Sequence, residues 1–133
     1  MTNQKVAMVT GAGSGIGKAS ALALAADGHA TVLVGRRRER LEDTAAAAGA
    51  DATTLVAAAD VSDPDSVRQV FDRTVETFGR LDVLFNNAGV STSAALLEDL
   101  PFDEWQSIVS INLTGSFLCT QQAFRIMKDQ DPQ

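Results

Sequence analysis

Residues 9–18, Val9-Thr10-Gly11-Ala12-Gly13-Ser14-Gly15-Ile16-Gly17-Lys18 (VTGAGSGIGK), decide how the chain is read. Residues 5–9 form a short apolar run, and small and apolar residues then recur at helical spacing over 14–26, so the stretch predicts a strand, a glycine turn and a helix. Glycines in such a turn let the backbone approach a phosphate. The helix N-terminus adds free N–H groups and a dipole that favours negative charge. Two loop types compete. A triphosphate loop, G-x-x-x-x-G-K-[ST], would place its first glycine at Ala12 and its magnesium-binding hydroxyl at Ala19, so neither position fits. The dinucleotide form G-x-G-x-x-G also fits poorly, because the glycines fall at 11, 13, 15 and 17.

Working outward, residues 31–34 (TVLV) predict a second strand, a charged, alanine-rich helix runs on to about Ala48, and residues 53–58 predict a third strand. Asp63 reads as an N-cap with Pro64 at the first helical position. Val67, Val70, Phe71, Thr74, Val75 and Phe78 then follow one helical face, and Gly79 stops it. Residues 81–85 predict a fourth strand, and after a loop of small residues a long helix is expected from Phe102 to Lys128. Strands that are apolar throughout and alternate with helices indicate an α/β fold, a parallel sheet covered on both faces and joined by right-handed crossovers. With no repeat or linker, residues 1–133 are expected to form one domain.

The 133 residues are 45% hydrophobic with a net charge of −6, which argues against nucleic acid and against an anionic membrane surface as partners. One run departs from that balance: Arg36-Arg37-Arg38-Glu39-Arg40, directly after the second strand. The single cysteine, Cys119, is expected to pack within a helix, in keeping with a reducing cytoplasm. No apolar run approaches the ~18 residues of a membrane span, and no metal site is expected.

The glycine turn does match T-G-x-x-x-G-x-G, as Thr10, Gly11, Gly15 and Gly17. Asp60-Val61 follows the third strand, Asn86-Asn87-Ala88-Gly89 (NNAG) follows the fourth, and Asn112 lies in the long helix within SINLTG. With these motifs in this order, the chain resembles the N-terminal, cofactor-binding half of the short-chain dehydrogenase/reductase family. The resemblance implies a Rossmann-type doubly wound parallel sheet of strand order 3-2-1-4, ending here after the fourth strand and the long fourth helix. It also implies a nicotinamide dinucleotide cofactor. Backbone N–H groups around Ser14 and Ile16 would receive the pyrophosphate, while Thr10, Gly11, Gly15 and Gly17 shape the turn. Asp60 would bond the adenine amino group with Val61 packed nearby, and Asn87, Ala88 and Gly89 would line the nicotinamide ribose.

Which dinucleotide is bound turns on the residue after the second strand. An acid there accepts from a ribose 2′-OH, whereas an arginine pairs with a 2′-phosphate. The chain reads Gly35-Arg36-Arg37 with no acid before Glu39, so NADP(H) is expected over NAD(H), held by Arg36 and Arg37.

Ile111-Asn112-Leu113-Thr114-Gly115 is a poor helix sequence, so something besides propensity must hold it. The resemblance makes Asn112 a member of the catalytic set, at a distortion that positions a water of a proton relay. Over residues 108–119 the helix is apolar around most of its circumference, which implies a second partner; the resemblance points to a homo-oligomer through this helix. His29 reads as an exposed or capping histidine, and Trp105 as a packing anchor where the long helix starts.

By resemblance, a complete member moves hydride between NADP(H) and a carbonyl or alcohol substrate. It relies on a serine and a Tyr-x-x-x-Lys pair expected beyond Gln133. The chain has no tyrosine, so alone it is expected to be inactive. Two readings stay open, the N-terminal portion of such an oxidoreductase or a natural short protein that binds NADP(H) without catalysis or pairs with a full-length relative. In either case the fourth strand would be an edge, which predicts low stability or aggregation.

Overall fold

Strands that are apolar on both faces need cover on both, and that need sets the layers of the fold. In the computed structural model, which describes residues 3–133, β1 (Val6–Thr10), β2 (Ala30–Gly35), β3 (Thr54–Ala58) and β4 (Val83–Phe85) form one parallel sheet. Its order is β3-β2-β1-β4, the expected Rossmann-type arrangement. Helices α1 (Gly15–Ala26) and α2 (Arg38–Ala48) close one face, where Ala21 and Leu41 pack with Val9 and Leu33. Helix α3 (Pro64–Phe78) covers the other, with Phe71 against Val6, Met8 and Val32. Asp63 caps α3 by accepting from the Asp65 N–H at 3.3 Å, and Gly79 ends it at φ 78°, where only glycine is unstrained.

From Phe102 the chain is helical to Met127, but in three parts: α4 (Phe102–Ile108), a π-helical turn (Val109–Thr114) and α5 (Gly115–Met127). The distortion falls on the poor helix sequence around Asn112. Cys119 is buried against the sheet as expected, and burial pushes its thiol up to about 11, so it stays protonated at neutral pH. Among the described residues, no helix is long and apolar enough to cross a membrane.

Two expectations need correction. Trp105 is not a packing anchor: it is 54% exposed, because among the described residues no element covers that face of α4, and Phe102, Leu113 and Phe117 are exposed too. His29 takes the capping alternative: its N–H closes the α1 terminus on the Leu24 carbonyl, and its side chain, only 13% accessible, lies near Asp27. The fourth strand starts at Val83 rather than Leu81. Side chains take over the backbone of Leu81: the Gln130 amide accepts from its N–H at 3.0 Å and donates to its carbonyl at 2.6 Å.

Beside Leu81, Asp82 accepts from the Val6 N–H at 2.8 Å and from Arg80 Nε at 2.9 Å, fixing the start of β4 to the start of β1. The Arg80 bonds hold the Asp82 carboxyl below its ordinary pKa, and the Val6 N–H adds to this. A group lowered on folding stabilises the fold above its unfolded pKa, about 4, and loses that contribution as pH falls through the folded value. We therefore expect Asp82→Asn to lower the thermal midpoint at neutral pH by several degrees and to lessen the further loss below about pH 4. Thermal melts across that window check this; parallel pH profiles for the two proteins would refute it.

Candidate functional site

Because all four strands run parallel, their carboxyl ends open on one edge of the sheet, and the loops that follow them surround a single cleft of about 350 Å³. The glycine turn contributes Gly11, Gly13 and Ser14. The segment after β2 supplies Arg36 and Arg37, the one after β3 Asp60 and Val61, and the one after β4 Ala88, Gly89 and Val90. These come from widely separated stretches of sequence, and the crossovers alone bring them together.

Thr10 and Asn87 stand beneath the cleft rather than in its lining. The Thr10 hydroxyl accepts from the N–H groups of Asn87 at 3.0 Å and Ala88 at 2.9 Å. The Asn87 amide donates back to the carbonyls of Thr10 at 3.2 Å and Gly11 at 3.4 Å. This reciprocal lock holds the NNAG turn against the glycine turn. Gly11 has φ 67° and no room for a Cβ, which would lie 2.9 Å from Asn87 Nδ2. Gly17 is buried, with its Cα facing the Gly11 carbonyl.

Gly15 is different. It has φ 53°, and nothing lies within 4 Å of where its Cβ would point. Ser14, the N-cap of α1, makes no side-chain capping bond, and Ile16 is 72% exposed. The first turn of α1 thus presents its N–H groups without a side-chain acceptor, unlike α3, which Asp63 caps.

Arg36 and Arg37 are exposed on the cleft wall, and Arg40, one helical turn on, joins them. Among the described residues, these arginines form no salt bridge. Among the described residues, Asp60 is the only carboxylate lining the cleft. Its Oδ1 accepts from the Ser62 hydroxyl at 2.6 Å and the Ser62 N–H at 3.0 Å. Those bonds, with a smaller contribution from the Arg36 charge, lower its pKa, so it is ionised at neutral pH.

Asn112 lies in the π-helical turn, and its side chain pairs with one residue. Oδ1 accepts from the Val90 N–H and Nδ2 donates to the Val90 carbonyl, both at 2.8 Å. A side-chain amide carries the same donor and acceptor as a peptide unit, so Asn112 holds the cleft-lining loop as a neighbouring strand would. Farther along that loop, Glu104 accepts from the Ser93 N–H at 2.6 Å and from its hydroxyl at 3.0 Å.

Sequence reasoning missed several residues of the site. Arg40, Leu41 and Ile111 line the cleft, and Glu104 anchors its loop. Gly115 lets α5 meet Val61, since a Cβ there would lie 2.8 Å from Val61 Cγ2. A glycine inside a helix was the available signal for that contact. Glu104 and Ile111 carried none.

Residues 5–132 match the family model described as short chain dehydrogenase. The chain belongs to this family. It is 40% identical over 130 residues to the 3-oxoacyl-[acyl-carrier-protein] reductase of Synechocystis, an alignment covering 95% of this chain and 51% of the relative. Among solved structures it resembles an alcohol dehydrogenase from the archaeon Thermococcus sibiricus complexed with 5-hydroxy-NADP, with TM-score 0.89 and 34% identity over 95% of this chain and 54% of that one. It also resembles a 3-ketoacyl-(acyl-carrier-protein) reductase from Brucella melitensis complexed with NADH, with TM-score 0.90 and 34% identity, covering 94% and 50%. The chain spans about half the length of the relatives it matches. The short chain dehydrogenase family binds a nicotinamide dinucleotide, and structures like this one hold either form.

Proposed function

We propose that this chain is the NADP(H)-binding N-terminal portion of a short chain dehydrogenase whose complete form is an oxidoreductase acting on a carbonyl or alcohol. One observation carries the choice of NADP(H). Arg36 and Arg37 line the cleft without carboxylate partners among the described residues, and the one acid of the lining beside them, Asp60, is already bonded to Ser62. A 2′-phosphate would meet guanidinium groups there, whereas a 2′-hydroxyl would find no acceptor after β2.

The remaining features fit the rest of the cofactor. The uncapped α1 terminus and the open face of Gly15 suit the pyrophosphate, which would take the N–H groups around Ser14 and Ile16. Asp60, ionised and with Oδ2 free among the described residues, would accept from the adenine amino group beside Val61. Ala88 and Gly89, set in place by Thr10 and Asn87, would line the nicotinamide ribose. When bound, the cofactor supplies or accepts the hydride exchanged with the substrate carbon. Asn112 is the one member of the family's catalytic set in this chain. Without a tyrosine the chain alone has no acid/base for the substrate oxygen and is expected to be inactive.

A second reading, a non-catalytic NADP(H)-binding protein or a dimerisation partner of a full-length relative, draws on Leu113, Phe117 and Phe124, which are 59–70% exposed along one helix face. A second copy would cover the same face in a homo-oligomer. The lone buried Cys119 accords with a cytoplasmic home.

Titration of the chain with NADPH and with NADH, followed by fluorescence of the reduced nicotinamide, tests the cofactor assignment. We expect NADPH to bind at least about tenfold more tightly, the effect of one charge-assisted hydrogen bond. Equal affinities, or tighter binding of NADH, would reject it.

A further inference from the structure

Specificity for the 2′-phosphate has so far rested on Arg36 and Arg37, which follow β2 directly. The cleft holds a further guanidinium. Arg40 sits in the first turn of α2, which Arg37 precedes as the N-cap, and Arg36, Arg37 and Arg40 all line the cleft. Glu39 and Arg38, between them, do not line the cleft. The single acid of the run is thereby turned away and the positive charges are gathered.

The root of Arg40 is also fixed. A Cβ on Gly13 would lie 3.0 Å from Arg40 Cβ, so the arginine rises from the wall of the glycine turn. On the same turn of helix, the Thr44 hydroxyl donates to the Arg40 carbonyl at 3.1 Å and to the Ala12 carbonyl at 2.9 Å, tying α2 to the glycine turn. That tie meets Arg40 only at its backbone carbonyl and is independent of the guanidinium, which is exposed and unpaired among the described residues.

We propose that Arg40 is a specificity-determining residue that grips the 2′-phosphate of NADP(H) together with Arg36 and Arg37. The inference rests on the NADP(H) reading above and extends it to a residue outside the segment that follows β2. A phosphomonoester carries close to two negative charges at neutral pH and three acceptor oxygens, more than one exposed guanidinium satisfies.

The test measures dissociation constants for NADPH and NADH, and for 2′,5′-ADP against 5′-AMP, in the chain and in its Arg40→Ala and Arg38→Ala variants. Arg40→Ala should weaken NADPH and 2′,5′-ADP by about tenfold and leave NADH and 5′-AMP within about twofold. It should also reduce the dependence of NADPH binding on salt. Arg38→Ala removes the same charge from the same turn without touching the cleft and should leave all four ligands within about twofold. Arg40→Lys should keep part of the NADPH preference. Equal weakening of NADPH and NADH by Arg40→Ala, or equal effects of the two alanine variants, would overturn the assignment to the 2′-phosphate. A parent chain that itself fails to prefer 2′,5′-ADP would reject both the NADP(H) reading and this one. A parent that prefers it, joined to an unaffected Arg40→Ala variant, would reject Arg40 alone.

Discussion

Gly17→Val is expected to give a chain that no longer unfolds cooperatively and does not respond to NADPH. Gly17 is buried under the glycine turn, and even a Cβ would fall inside the contact radius of the Gly11 carbonyl oxygen and of Asn87 Nδ2. Both are backbone or tightly bonded atoms. Gly11 is pinned by its positive φ, and the Asn87 amide is bonded to the carbonyls of Thr10 and Gly11. Relief would require α1 to lift from β1 or the NNAG turn to leave Thr10. Overpacking of this kind costs about 3 kcal/mol where neighbours can shift and more where they are backbone, against a total stability on the order of 5–15 kcal/mol. Urea unfolding followed by circular dichroism measures the effect. Gly15→Ala is the contrast: its φ of 53° costs a residue with a Cβ about 1 kcal/mol, but the space is open. That variant should fold and bind NADPH more weakly, because the methyl enters the cradle. A Gly17→Val chain with an unchanged urea midpoint would refute the steric account.

What the sequence made legible were features with a local period or a fixed neighbour. The face of Val67, Val70, Phe71 and Phe78, between Asp63 and Gly79, located α3 because apolar spacing, cap and stop all lie within one segment. The apolar strands determined a parallel sheet, since only burial on both faces explains them. Arg36 was legible through its place directly after a strand. Contacts between distant segments were not. Asn112 was marked by poor propensity, yet its pairing with Val90, 22 residues away, leaves no trace in either stretch. The same holds for Gln130, whose amide displaces the ladder at Leu81 across 49 residues. Arg40 was hidden for another reason: a charged residue in a first helical turn looks the same whether it faces solvent or a cleft, and only the packing of α2 on the glycine turn separates the two. Trp105 misled because size predicts burial only where some element exists to cover the residue.

Arg36→Asp should shift the ratio of NADPH to NADH affinities by about a hundredfold toward NADH. Two effects of the same sign contribute. The change removes a guanidinium from the cleft wall directly after β2, and with it a charge-assisted bond to the phosphate of about 1.5–3 kcal/mol. It also introduces a carboxylate that repels that phosphate and can accept from the 2′-hydroxyl of NADH. A third consequence concerns Asp60, on the neighbouring strand end. The Arg36 charge now helps hold the Asp60 carboxyl below its ordinary pKa, after the larger contribution of Ser62. Exchanging it for a negative charge should raise the Asp60 pKa, though Ser62 keeps the group ionised at neutral pH. Binding that depends on ionised Asp60 should therefore fail at a higher pH in the variant than in the parent, because a raised pKa is reached sooner as pH falls. The two readouts are separable: the affinity ratio at neutral pH reports the 2′ position, and the acid limb of NADH binding reports Asp60. Arg37 and Arg40 remain in the variant and should preserve some NADPH binding, so the switch completes only when Arg40→Ala is added. An unchanged affinity ratio in Arg36→Asp would place the 2′-phosphate elsewhere and remove the basis for assigning NADP(H).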